Sequence, residues 1–245
     1  MKLDLSSLDS VRSFAADVKK RDEKIYALIC NAGVWVPDDD SQDSTKTTMD
    51  GFEIHFGVNH LGHFLLIKSL LPQMEKSGMD SRIVIVSSSL CKSGQIDLEK
   101  RDFIHKARVP SEDKKKSFAP TAYCDSKLMN LLTCRELASR LQGTNITTYS
   151  LSPGFCRSQL GRNVQMPAYK KMLITPLMRL FQRSTYQGAL NIVFATTEDK
   201  AKMESGVMYQ DGEVWGDGVK LLDTLDDNLQ KGLWDLSEEL VKEKS

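Results

Sequence analysis

Three short runs, Ile25–Cys30, Arg82–Ser87 and Ile146–Leu151, constrain this chain more than anything else in it. Each is apolar or β-branched nearly throughout, with no strict in/out alternation. A strand with one wet face alternates; a strand covered on both faces does not, so these runs predict a parallel sheet buried between layers. Between them the apolar spacing turns helical. Asp9-Ser10 is the predicted cap of a helix through Val11, Phe14, Ala15 and Val18. Phe52, Phe56, His60 and Phe64 recur every four residues in a helix predicted over Gly51–Leu71. Another is predicted over Tyr123–Leu141, with Leu128, Leu131, Leu132, Leu137 and Leu141 as its stripe and Gly143 just past its end. Strands and helices in this alternation predict an α/β sandwich with right-handed crossovers, and the 245 residues suit one such domain.

Composition narrows what the fold does. Lys+Arg and Asp+Glu both number 33, so the formal charge is zero and no long-range field draws nucleic acid. No apolar run approaches bilayer-spanning length, and the first residues have no signal-peptide core. Cys30, Cys91, Cys124, Cys134 and Cys156 include no CxxC pair, which argues against a zinc site or a disulfide framework and for a reducing, cytoplasmic compartment. Three segments stand outside the alternation. They are an acidic loop at Pro37–Thr47, a charged surface insertion over Gln95–Ala119, and Gln159–Arg183, which mixes aliphatic and methionine side chains with Lys170, Lys171, Arg179 and Arg183.

A few residues carry chemistry. Tyr123 and Lys127 leave one helix face a turn apart, and an ammonium beside a phenol favours the phenolate. Ser87-Ser88-Ser89 follows the second strand, where hydroxyls face the ligand crevice of α/β sheets; a helix cap or polar turn explains the triple as well. A serine nucleophile is disfavoured: there is no Gly-x-Ser-x-Gly elbow, and none of His55, His60, His63 and His105 stands in an obvious base position. Asn31-Ala32-Gly33 ends the first strand with small residues that let a flat ligand reach the backbone. Asn59 is a poor helix former in mid-helix and marks a kink or a polar task. Pro153-Gly154, followed by Ser158, ends the third strand.

Taken in order, these motifs resemble the short-chain dehydrogenase/reductase family, and within it the retinol dehydrogenase-like branch. The carrying residues are Leu3-Asp4-Leu5, Cys30–Gly33, Val58-Asn59-His60-Leu61-Gly62-His63-Phe64, Val86-Ser87-Ser88, Tyr123-Cys124-Asp125-Ser126-Lys127, Pro153-Gly154 with Ser158, and Leu233–Ser237. The resemblance implies a Rossmann-like doubly wound parallel sheet in a three-layer α/β/α arrangement. It further implies NAD(P)(H)-dependent interconversion of an alcohol and a carbonyl on an apolar substrate (retinoid, steroid or lipid aldehyde), with NADP(H) ahead of NAD(H). Tyr123 would be the general acid/base and Ser88 would hold the substrate oxygen. Lys127 would lower the Tyr123 pKa and bind the nicotinamide ribose, and Asn59 would anchor a water linking Lys127 to solvent. Asp4 and Leu5 would contact the adenine, Asn31, Ala32 and Gly33 would flank the adenosine ribose, and Pro153, Gly154 and Ser158 would pack on the nicotinamide. Gln159–Arg183 falls at the family's substrate lid, and its basic residues suit peripheral contact with the cytosolic face of a membrane. The helix capped by Ser184 and the one carrying Tyr123 correspond to the family's dimer surfaces, so a homodimer is expected of the intact form.

The start of the chain departs from the family pattern. Members open with a strand, a Thr-Gly-x-x-x-Gly-x-Gly turn and a helix; here Met1–Leu5 matches only the third strand. The expectation is therefore an N-terminally truncated sheet lacking at least one βαβ unit of roughly 30 residues. Such a sheet leaves the edge of Tyr26–Ile29 open, detaches a Leu3–Leu5 strand and weakens dinucleotide binding. A competing expectation is a non-catalytic relative that pairs with a full-length enzyme. Cys30 stands where the branch usually has asparagine, and the Ser88–Tyr123 stretch is longer than in most relatives.

Overall fold

The structure, a computed structural model, describes residues 1–37, 46–107, 119–156, 160 and 182–243. The three predicted runs are the strands β1 (Ala27–Cys30), β2 (Ser81–Val86) and β3 (Ile146–Leu151). With β4 (Met208–Gln210) they pair parallel in sequence order, and β5 (Glu213–Val214) returns antiparallel on β4. That return runs through Asp211 and Gly212, both left-handed at φ 58° and 81°, as a two-residue hairpin turn requires. All six residues of β2 are buried, the apolar Ile83–Val86 together with Ser81 and Arg82.

Helices cover both faces in a three-layer α/β/α arrangement. On one face lie α1 (Leu8–Lys20), α2 (Gly62–Lys76), α3 (Thr121–Arg140), α5 (Gly216–Thr224) and α6 (Asp227–Glu243), sharing one core with Ile83, Ile85, Ile146 and Met208. Trp234 of α6 ties this layer together. Phe64 of α2 meets its ring edge-on at 4.9 Å, and the Arg140 guanidinium at the end of α3 lies 4.5 Å from it. On the other face α4 (Thr185–Thr197) stands by itself among the described residues, packing Ile192, Phe194 and Ala195 on Val84, Val86, Tyr149, Leu151 and Tyr209.

Several boundaries differ from the sequence reading, each for a local reason. Ser7, not Asp9-Ser10, caps α1, because its hydroxyl reaches the Ser10 amide at 3.3 Å. Leu3–Leu5 forms no strand. The Asp4 carboxylate accepts from the Ser6 amide and hydroxyl at 2.9 and 2.7 Å, bending the chain straight into α1, while Leu5 packs against Gly62. The helix predicted from Gly51 starts later, since Gly51 is left-handed, and it enters α2 through a π-helical turn, Phe56–Leu61. The insertion at Gln95–Ala119 is not all surface: the short turn Asp102–Ile104 buries Phe103 and Ile104, with Phe103 5.5 Å from the Phe56 ring. No strand borders the outer edge of β1 among the described residues.

Candidate active site

Because β1, β2 and β3 run parallel, the residues after their last positions gather along one end of the sheet. Asn31–Gly33 arrives from β1, Ser87-Ser88 from β2 and Ser152-Pro153-Gly154 from β3. The first turns of α3 are fastened there by hydrogen bonds to the end of β2. The Ser87 hydroxyl donates to the Lys127 carbonyl at 2.6 Å. The Val86 carbonyl accepts from Lys127 Nζ at 3.0 Å and from Asn130 Nδ2 at 3.1 Å. Ser152 Oγ accepts from the Ser89 and Gly154 amides, both at 3.3 Å, and so joins the ends of β2 and β3.

Asn59 closes the arrangement from the π-helical turn. A π turn displaces one residue from the α-helical ladder and is often found at functional sites. Asn59 lies within this turn, is fully buried, and uses its side chain on three partners. Oδ1 accepts from the Val34 amide at 2.7 Å, and Nδ2 donates to the Val34 carbonyl at 3.1 Å and to Ser126 Oγ at 3.0 Å. Its backbone carbonyl accepts from His63 Nδ1 at 3.2 Å. Asn59 thus binds the end of β1 to α3. Gly33 leaves this arrangement undisturbed: a Cβ there would lie 3.0 Å from Asn59 Oδ1, pressing it aside by a few tenths of an ångström, and 3.7 Å from Lys127 Nζ.

Tyr123, Lys127 and Ser88 are neighbours at this end of the sheet. The Ser88 hydroxyl is hydrogen-bonded to the Tyr123 phenol, and the Lys127 ammonium lies 5.6 Å from the Tyr123 ring centroid. The electrostatics correct one expectation. Lys127 does not pull the phenol down; burial pushes Tyr123 up to about 12, with the Ser88 hydrogen bond acting the other way. Burial also lowers Lys127 to about 8, and its ammonium donates to a neutral carbonyl, that of Val86. The resting site therefore holds a neutral phenol.

The remaining predicted residues divide. Asn31 and Ala32 are exposed at the mouth, and Gly154, left-handed at φ 75°, lies flat under the Arg183 guanidinium. Arg183 pairs with both carboxylate oxygens of Asp211, and its amide donates to the Phe155 carbonyl at 2.8 Å. The contacts of Asp4 and Leu5 are with the start of α1 and with Gly62. Ser158 lies outside the described residues, as does the lid segment apart from Leu160, Gln182 and Arg183. Sequence reasoning missed Trp35 and His55, whose rings lie 5.8 and 6.1 Å from that of Tyr123. The one signal for His55 was Glu53 just ahead of a helix start, a place where carboxylates cap amides.

A hydroxyl, a phenol and an amine gathered at the C-terminal end of a parallel sheet, beside a glycine whose Cβ would press on Asn59, suit a nicotinamide riboside and a carbonyl oxygen. The comparisons agree on the class. The family model for short chain dehydrogenases matches residues 1–99. Mouse retinol dehydrogenase 13 is 35% identical over 242 residues, covering 98% of this chain and 67% of that protein. Human retinol dehydrogenase 14 is 37% identical over 239 residues, 98% of this chain and 65% of its own length. The crystal structure of an uncharacterised protein from Mycobacterium paratuberculosis superposes with a TM-score of 0.69 at 30% identity, over 99% of this chain and 75% of that one. NADPH-bound carbonyl reductase from chicken fatty liver shares the fold, with a TM-score of 0.58 at 15% identity over 87% and 75% of the two chains. The chain belongs to the short-chain dehydrogenase/reductase family. Within that family it falls in the retinol dehydrogenase-like branch, and it spans about two thirds of the length of the curated relatives it matches.

Proposed function

We propose that this chain is an oxidoreductase interconverting an alcohol and a carbonyl on an apolar substrate of the retinoid, steroid or lipid-aldehyde class. The observation that carries the proposal is the proximity of Ser88, Tyr123 and Lys127 at the C-terminal end of the parallel sheet. A nicotinamide dinucleotide, NADP(H) in preference to NAD(H), supplies the hydride when bound. Tyr123 gives its phenolic proton to the carbonyl oxygen, and Ser88 holds that oxygen through its hydroxyl. Lys127 holds the nicotinamide ribose hydroxyls and restores the proton to Tyr123 Oη. Asn59, bonded to Val34 and Ser126, is proposed to anchor the water that links Lys127 to solvent. Asp4, Leu5, Asn31, Ala32 and Gly33 are proposed for the adenosine half, and Pro153, Gly154 and Ser158 for the nicotinamide. Burial keeps Tyr123 protonated, so the resting site is poised for reduction. Phe155, 45% exposed beside Gly154, and the Trp35 ring give the mouth an apolar lining suited to such a substrate.

Self-association is proposed through α4, whose Tyr186, Leu190 and Val193 form an exposed apolar stripe one to two turns apart. The Tyr123 helix contributes little to that surface, since α3 is buried within the chain over most of its length. Peripheral contact with the cytosolic leaflet is proposed through Lys170, Lys171 and Arg179, with liposome flotation as its check; no helix among the described residues is long and apolar enough to cross a membrane. The test of the main reading is reduction of retinal by the chain with NADPH or NADH, followed by loss of absorbance of the reduced cofactor. Turnover faster with NADPH is expected, and absence of turnover with either cofactor overturns the reading.

A further inference from the structure

Beside Tyr123 lies a buried carboxylate–imidazole pair that the proposed reaction does not use. Glu53 and His55 are each 3% exposed. A carboxylate that deep is tolerated only when hydrogen bonds replace its hydration, and here they do. Glu53 Oε2 accepts from the amides of His55 and Phe56, both at 2.8 Å, at the entry to the π-helical turn. Glu53 Oε1 takes His55 Nδ1–H at 2.7 Å. That bond fixes the tautomer and leaves the Nε2 lone pair to accept the Val36 amide at 3.0 Å. His55 Nε2 is therefore occupied and is not a base for substrate.

The position of Val36 shows what the pair accomplishes. Two residues earlier, Asn59 holds Val34 by both its amide and its carbonyl. Trp35 sits between these two anchors, its ring 5.8 Å from Tyr123 at 31°, while the His55 ring meets Tyr123 edge-on at 6.1 Å and 82°. An apolar side chain in place of His55 would fill the same space and leave the Val36 amide without its acceptor. We propose that Glu53 and His55 are positioning residues: together with Asn59 they clamp Val34–Val36 so that Trp35 forms the wall that holds the Tyr123 ring toward Ser88 and keeps water off it. This rests on the oxidoreductase reading for its consequence in catalysis, but the clamp itself is measurable without substrate or cofactor.

The test compares His55→Phe, which keeps a ring and loses the acceptor, with His55→Gln, which keeps an acceptor. Amide exchange at Val36, read by NMR on the ligand-free chain, is expected to speed up at least tenfold in His55→Phe and to stay within about threefold of the parent in His55→Gln. In turnover, kcat is expected to fall about tenfold in His55→Phe, with KM little changed, and to recover in His55→Gln. Unchanged Val36 exchange in His55→Phe overturns the clamp whatever the turnover shows. Faster exchange with kcat unaltered overturns its role in holding Tyr123. If His55→Phe does not fold, Val36 exchange in His55→Gln decides: at least tenfold faster in a chain that melts within a few degrees of the parent, it overturns the clamp, and preserved protection supports it. A parent chain with no turnover counts against the oxidoreductase reading, and the exchange result then decides the clamp by itself.

Discussion

The two faces of the sheet are built to different standards. On the α2/α3 face Ile83 and Ile85 are sealed beneath several helices, and that layer supplies Asn59, Ser126, Tyr123 and Lys127. On the α4 face one helix covers β2, β3 and β4 and stops short of β1. Ile29 stands in register with Val84, yet it is 42% exposed where Val84 is fully buried. The outer side of α4 repeats the pattern, with Tyr186 72% exposed. Groups that must hold a fixed geometry are thus carried by the saturated face, and the unfinished apolar surface lies on the other.

If the contrast is sound, truncation on the two faces differs in cost. Phe64→Ala removes a fully enclosed ring from the Trp234 cluster and is expected to destabilise by about 3–5 kcal/mol, against roughly 1–2 kcal/mol for Ile192→Ala under α4, measured by chemical denaturation. Equal losses would erase the distinction. The next effect concerns the charge buried in the saturated face. Lys127 is lowered to about 8, so the folded chain gives up this proton before the unfolded one, whose lysine titrates near 10.5. Its favourable contribution is present above 10.5 and is lost as the pH falls through 8. Relative to Lys127→Met, the parent should therefore gain up to about 3 kcal/mol between pH 8 and 10.5. A flat difference across that window counts against a buried ammonium.

His60 and His63 extend the comparison to acid. Burial lowers them to about 3 and about 4, so below 6.5 the unfolded chain takes up protons that the folded chain refuses, and stability falls with pH. Replacing His60, which donates to Ser237 Oγ at 2.9 Å, by Gln should flatten the slope between pH 6.5 and 5 by about 2 kcal/mol in urea titrations. The smallest change in stability is expected on the α4 rim. Leu190→Lys should alter stability by no more than about 0.5 kcal/mol while shifting sedimentation velocity toward monomer. Unchanged sedimentation would remove α4 as the contact surface.

Legibility in the sequence followed the range of the interactions. β2 and β3 were readable because a doubly covered strand needs no partner to declare itself, and the Tyr123–Lys127 pair because one helix fixes both side chains. Leu3–Leu5 was misread since three residues carry no period, and the Asp4–Ser6 turn decided their conformation. The direction of the Tyr123 shift was illegible too: charge proximity is visible in spacing, but desolvation depends on everything packed around the ring. The clamp through His55 was out of reach for the same reason, as the Val36 acceptor lies 19 residues along the chain.

Proton transfer from one named oxygen underlies the proposed activity, and it is tested most directly by single-turnover reduction of an apolar aldehyde by the parent chain and by Tyr123→Phe at saturating NADPH. A fall of about 10³-fold in the rate, with NADPH affinity within threefold of the parent, is the expected result. A Tyr123→Phe chain that reduces the aldehyde within a few-fold of the parent rate would mean that the proton comes from elsewhere.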